Sequence, residues 1–107
     1  MQRFAAVIEL RPEHEAVYRE LHAEPWPEVM AALKRAHVQN YSIFMRDGYL
    51  FSYLEYTGED YAADMASVAA DPATQRWWEL TDPCQRALSS AADGEWWAPA
   101  EEVFHLD

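Results

Sequence analysis

Cysteine occurs once in this chain, glycine three times, and lysine and arginine together only eight times in 107 residues. Each scarcity closes off a class of answers. With Cys84 alone, no intrachain disulfide can form, so burial must hold the fold together. A catalytic thiol would need a base or positive charge beside it, and Cys84, next to Pro83, reads instead as a buried structural thiol. So few glycines leave no room for a glycine-rich phosphate loop or a dinucleotide fingerprint, and no Ser-His-Asp order with a family signature is present. A reaction without cofactors is therefore expected. Against eight basic residues stand 19 acidic ones, a net charge of −11 that repels phosphate backbones and anionic headgroups. Neither nucleic acid nor a membrane is an expected partner. The opening stretch Met1 to Leu10 is interrupted by Arg3 and Glu9 and lacks a small-residue cleavage site, so it reads as neither signal peptide nor spanning helix. The expected compartment is the cytoplasm. Internal repeats and low-complexity segments are also missing.

What the chain does have is apolar and aromatic mass. Half of its residues are hydrophobic and 14% are aromatic, which is enough to pack one domain spanning residues 1–107. Phe4, Ala6, Ile8 and Leu10 alternate, the period-two pattern of a strand buried on one face. Pro12 suits a first helical turn, and Val17 and Leu21 in Glu13 to His22 lie one turn apart, so a helix follows. Pro25 and Pro27 interrupt it around Trp26, and helical spacing resumes through Val29, Leu33 and Ala36 to His37.

Two β-rich segments, Val38 to Arg46 and Tyr49 to Tyr56, flank Asp47-Gly48, a strong two-residue hairpin turn. The turn sets a register pairing Met45 with Leu50, Ile43 with Ser52 and Tyr41 with Leu54 on the face that helices would cover. The opposite face carries Asn40, Ser42, Phe44, Phe51, Tyr53 and Glu55, a mixed polar and aromatic surface suited to a partner subunit or a cavity. Tyr61, Met65 and Val68 mark a helix within Glu59 to Ala70. Asp71-Pro72 then reads as an N-cap with proline in the first turn of a helix running through Trp77 and Trp78 to about Thr81. Asp82-Pro83 ends it, Ser89 to Glu95 reads as a loop, and Glu102 to Leu106 as a last short strand. The order is βαββαβ. This is a ferredoxin-like α+β fold, an antiparallel sheet with helices on one face, and two such sheets face to face would form a dimeric α+β barrel.

Chemistry gathers on the first helix. Tyr18 and His22, four residues apart, project from one face about 6 Å apart along the axis. Imidazole donates and accepts protons at neutral pH, and a nearby phenol can orient a substrate hydroxyl. The same spacing also arises on ordinary amphipathic helices, so spacing alone does not separate a site from a boundary pair. A metal shared by His14 and His22 is excluded on distance, because eight helical residues hold them about 12 Å apart. The tandem pairs Trp77-Trp78 and Trp96-Trp97 offer aromatic faces. Neighbours on a helix diverge by about 100°, so one of Trp77 and Trp78 can enter the core while the other flanks a pocket.

The segments RPEHEAVYRELHAEPWPEV, NYSIF, QRWWE and EEVFHLD, in that order, make the chain resemble the L-rhamnose mutarotase family over nearly its whole length. The resemblance implies a homodimeric α+β barrel acting on a monosaccharide, with no metal or cofactor. It implies exchange of the α and β anomers of L-rhamnopyranose by acid–base assisted ring opening, with His22 as the proton donor and Tyr18, Tyr41, Trp77 and Trp78 contacting the sugar. No role for Trp96 or Trp97 carries over. Two other functions remain open to such a fold: a cofactor-independent monooxygenase, and a non-catalytic small-ligand or haem-binding module.

Overall fold

The computed structural model describes all 107 residues, Met1–Asp107. Strand β1 (Gln2–Leu10) leads through a 3₁₀ turn (Pro12–His14) into α1 (Glu15–Ala23) and α2 (Pro27–Arg35). The hairpin β2 (Val38–Arg46) and β3 (Tyr49–Tyr56) follows, then α3 (Tyr61–Ala70), α4 (Pro72–Thr81) and a second 3₁₀ turn (Asp82–Cys84). Two short strands close the chain, β4 (Gln85–Arg86) and β5 (Ala98–Ala100). No helix is long and apolar enough to cross a membrane.

The sheet is antiparallel in the order β2-β3-β1-β4, with β5 also on β1. This is the ferredoxin-like order, except that its fourth strand is split into two pieces. Alternation along β1 sends Ile8 and Leu10 toward the helices, where they meet Leu50, Tyr18 and Cys84 in one buried cluster. A second cluster joins Val29 of α2 to Ala73 and Trp77 of α4, and a third joins Ala36, Val38 and Val68. Both helices after the hairpin are capped by aspartates. The Asp60 carboxylate accepts from the Ala63 amide at 3.1 Å, and that of Asp71 from the Thr74 amide at 2.9 Å.

Asp47 and Gly48 adopt φ of 54° and 78°, the double positive-φ turn that matches strand twist in a tight hairpin. Next to this turn the pairs Met45–Leu50 and Ile43–Ser52 form as expected. The expected Tyr41–Leu54 pair does not. A bulge intervenes between Gln39, opposite Glu55, and Ser42, opposite Tyr53, so that Asn40 and Tyr41 share Leu54. Its cause is a change of hydrophobic parity. Below the bulge the odd residues Ile43 and Met45 pack toward the helices, whereas above it the even residue Val38 is buried, and one extra residue reconciles the two. Asn40 takes φ 46°, a region asparagine tolerates, and its side-chain amide donates to Glu55 at 2.6 Å.

The C-terminal strand is also displaced from its expected place. Glu102 to Leu106 forms no strand; Ala98–Ala100 pairs instead with Ala5, Ala6 and Val7 of β1. The edge of β1 has room only between β4 and its own N-terminus, and the Ala-Pro-Ala segment fills it, with Pro99 on an edge where its missing donor costs nothing. Residues 101–107 run on exposed, tied back by Arg3 and Glu102 at 2.9 Å.

Candidate functional site

Helix α1 lies over the apolar face of β1 and β3 because Tyr18 inserts among Ile8, Leu10 and Leu50. One turn later, His22 stacks on the Tyr18 ring, centroids 4.1 Å apart and planes inclined by 28°. Its Nδ1 lies 2.9 Å from the backbone oxygen of Tyr18. A carbonyl oxygen only accepts, so Nδ1 carries a proton and Nε2 is the nitrogen left for proton exchange with a ligand. The Trp77 ring meets the imidazole edge-on at 5.3 Å, and Trp26 meets Trp77 in turn at 5.3 Å. One imidazole is thus held by a backbone bond, a phenol face and an indole edge.

The fold brings Tyr18, His22 and Trp77 together. Trp77 is buried on α4, whereas its neighbour Trp78 keeps 39% of its surface exposed and makes no ring contact with His22. Tyr41 leaves 41% of its surface open, yet burial raises its phenol above the usual range, so the crowding falls on its hydroxyl end. Tyr18 is pushed well above the ordinary phenol range, first by burial and then by the nearby Tyr41 oxygen, with Gln85 pulling the other way. Both phenols are therefore neutral hydrogen-bonding groups at physiological pH, not bases. Burial raises the Cys84 thiol too, and its Sγ donates to the Leu80 carbonyl at 3.6 Å, as suits a structural thiol.

Sequence reasoning had treated Trp26 only as a kink and missed Gln85. Trp26 stands four residues beyond His22, a spacing that a prolonged helix would place on the same face, but the intervening Pro25 hid it. Gln85 is 4% exposed on β4, and nothing in its local sequence marks it. No cluster of three His, Cys, Asp or Glu side chains converges to hold a metal. A groove of about 260 Å³ lined by Val17, Glu20, Leu21, Glu24 and Trp26 runs along another flank of α1.

Set beside known proteins, residues 3–106 match the family model described as L-rhamnose mutarotase. The chain belongs to the L-rhamnose mutarotase family. An L-rhamnose mutarotase of Oceanobacillus iheyensis is 32% identical, with both chains covered in full. An L-fucose mutarotase of Xanthomonas campestris is 38% identical, over 99% of this chain and 89% of that one. In three dimensions, the crystal structure of an L-rhamnose mutarotase from Formosa agariphila superposes with a TM-score of 0.78 over the whole of both chains, at 24% identity. Tetracenomycin F2 cyclase from Streptomyces glaucescens, a type-II polyketide cyclase, gives 0.68 at 15% identity, covering 100% of this chain and 98% of that one. These two likenesses speak to the fold, a curled antiparallel sheet with helices. Family membership makes the chain a sugar mutarotase, an isomerase of anomers acting on a monosaccharide.

Proposed function

We propose that the substrate is L-rhamnose and that His22 is the acid that opens its ring. The observation that carries this is the Nδ1 contact with the Tyr18 carbonyl, which leaves Nε2 unengaged on an imidazole packed between the Tyr18 ring and the Trp77 ring. Protonated Nε2 gives its proton to the ring oxygen as the bond from that oxygen to the anomeric carbon breaks. The anomeric hydroxyl loses its proton to water, and its oxygen becomes the carbonyl of an open aldehyde. Rotation about the bond between the first two carbons presents the other carbonyl face. Reclosure then returns the hydroxyl hydrogen, and His22 recovers its own. Atoms and charge balance, and neither cofactor nor metal is called for.

Tyr18, Tyr41, Trp77 and Trp78 are the proposed sugar contacts. The 6-methyl group of a deoxyhexose rewards indole faces, and its hydroxyls need the two neutral phenols. L-Fucose is also a 6-deoxyhexose, which fits the appearance of both sugars in the names of relatives. Trp78, turned outward in one chain, would reach a sugar only from the rim. The acting unit is proposed to be a cytoplasmic homodimer closed over the aromatic sheet face.

Saturation-transfer NMR between the anomeric protons of L-rhamnose measures the exchange directly. His22→Ala should fold normally and lose about 10²-fold or more of the catalysed rate, the range general acid catalysis supplies. L-Fucose under the same conditions should exchange more slowly. Undiminished exchange in folded His22→Ala would remove His22 from the mechanism, and faster exchange of L-fucose would reassign the substrate.

A further inference from the structure

We infer that Trp26, which makes no ring contact of its own with His22, is a positioning residue: acting through Trp77, it holds the imidazole at the tilt from which Nε2 meets the sugar. This rests on His22 being the acid of the sugar site. Two contacts restrain the imidazole from its own helix, the stack on the Tyr18 ring and the bond from Nδ1 to the Tyr18 carbonyl. Both come from a single residue. The ring contact that another element supplies is Trp77 of α4, edge-on at 5.3 Å with the planes inclined by 68°. A tilt of the imidazole must work against that indole, so the tilt is only as fixed as Trp77 itself.

The Trp77 indole takes part in none of the side-chain hydrogen bonds of the protein, so packing alone orients it. Its buried neighbours are small: Val29 of α2 and Ala73, one turn earlier on α4. Leu21 and Leu33 also pack against this cluster, but flexible aliphatic chains do not fix the angle of a ring. Trp26 does. Its ring meets Trp77 at 5.3 Å and 66°, repeating the edge-on geometry that Trp77 has with His22. The far end of this chain of rings is itself rigid. Pro27 keeps the backbone of Trp26 extended, at φ −71° and ψ 129°, and the Trp26 carbonyl accepts from the amides of Val29 at 3.1 Å and Met30 at 3.2 Å. With the backbone held, an indole has only its two side-chain torsions left to settle. Trp26 is half-buried and also borders the groove along α1, so replacing it removes none of the buried cluster residues. The Pro-Trp-Pro kink between α1 and α2 thereby acquires a task in the reaction.

Trp26→Leu keeps apolar bulk and removes the ring; Trp26→Met does the same and takes its place if the leucine variant does not fold. In the folded variant, kcat for anomer exchange should fall roughly tenfold, the upper end of what one aromatic pair carries. KM should change by less than about threefold, because the misplaced group is the acid and the phenol contacts stay. Trp26→Phe puts a ring back against Trp77 and should hold kcat within about threefold of the wild type. A lower stability does not mimic this pattern, since kcat is taken per folded molecule, counted by circular dichroism. An unchanged kcat in the ringless variant, a loss confined to KM, or a Trp26→Phe as impaired as Trp26→Leu would overturn the assignment. A second readout needs no turnover. Nuclear Overhauser contacts between the ring protons of Trp77 and His22 should be present in the wild type and in Trp26→Phe, and lost in the ringless variant. Undiminished contacts there would overturn the positioning role even if no sugar were turned over, whereas a wild type inert toward every sugar would overturn only the proposed function.

Discussion

At Cys84, Tyr18 and Tyr41, the side chain is neutral in the folded state because burial disfavours its anion. Unfolding returns each to water, where a thiol ionises near pH 8.5 and a phenol near about 10. In that window the unfolded chain holds fewer protons than the folded one, so stability falls as pH rises. Denaturant melts should be level from neutrality to about pH 8 and decline beyond it, and Cys84→Ala should delay the onset of the decline. A profile equally steep in both proteins would remove the thiol from the account. In native protein Cys84 should also resist iodoacetamide at pH 7.5 and react once unfolded. The pairing of Tyr18 with His22 was legible because helical spacing carries it, and their rings do stack on one face of α1. The imidazole tautomer was not, because it depends on one carbonyl, and the Gln85–Trp96 contact was not, because it spans a loop that leaves no periodic trace.

Elements begin and end where side chains and backbone agree. Asp71-Pro72 announced α4 in the sequence, and in the structure the Asp71 carboxylate accepts from both the amide and the hydroxyl of Thr74, with Arg35 at 3.6 Å. Those bonds, the Thr74 amide foremost, hold its carboxyl below the usual range. The stabilisation is present above the unfolded carboxyl pKa and is lost as pH falls through the lower, folded one. Asp71→Ala should therefore melt lower at neutral pH, with the gap closing in acid; a gap unchanged at about pH 2 would refute a charged cap. At the entry to α3 the constraint is space. A Cβ on Gly58 would stand 2.6 Å from the Tyr56 ring and 2.7 Å from Asp64, and Tyr56 is held there by the Asp60 amide at 2.9 Å. Gly58→Ala should cost about 1–3 kcal/mol in denaturant unfolding, the usual range for overpacking. By contrast the β2 bulge and the Ala98–Ala100 strand escaped the sequence pattern. The strand is decided by the edge that β1 leaves free, which no single segment contains, and the bulge by a parity switch between Val38 and Ile43 that a register propagated from the turn alone passes over.

For a single 12.4 kDa chain the molecule is open: it exposes 7362 Å², against about 6,100 Å² for a typical folded monomer of that mass. The excess is comparable to the roughly 800 Å² that each partner buries in a standard interface. It is not spread evenly. The helix-free sheet face presents Phe44, 61% exposed, with Tyr49 and Phe51 beside it, their rings 6.4 Å apart. Around them lie charged pairs, Arg86 with Glu9 and Arg3 with Glu102, the apolar centre and polar rim of a protein interface. A second copy stacked on this face would close the proposed α+β barrel as a twofold pair, in which the same patch of both copies meets itself. Phe44→Glu places a carboxylate at the centre and leaves the helix-side core untouched. Light scattering at micromolar concentration should give a dimer for the wild type and a monomer for the variant, with dissociation strengthened about 30-fold, the factor a ~2 kcal/mol hot spot carries. Circular dichroism should be the same for both. Wild-type protein that stays monomeric throughout would show that the aromatic face serves something other than self-association.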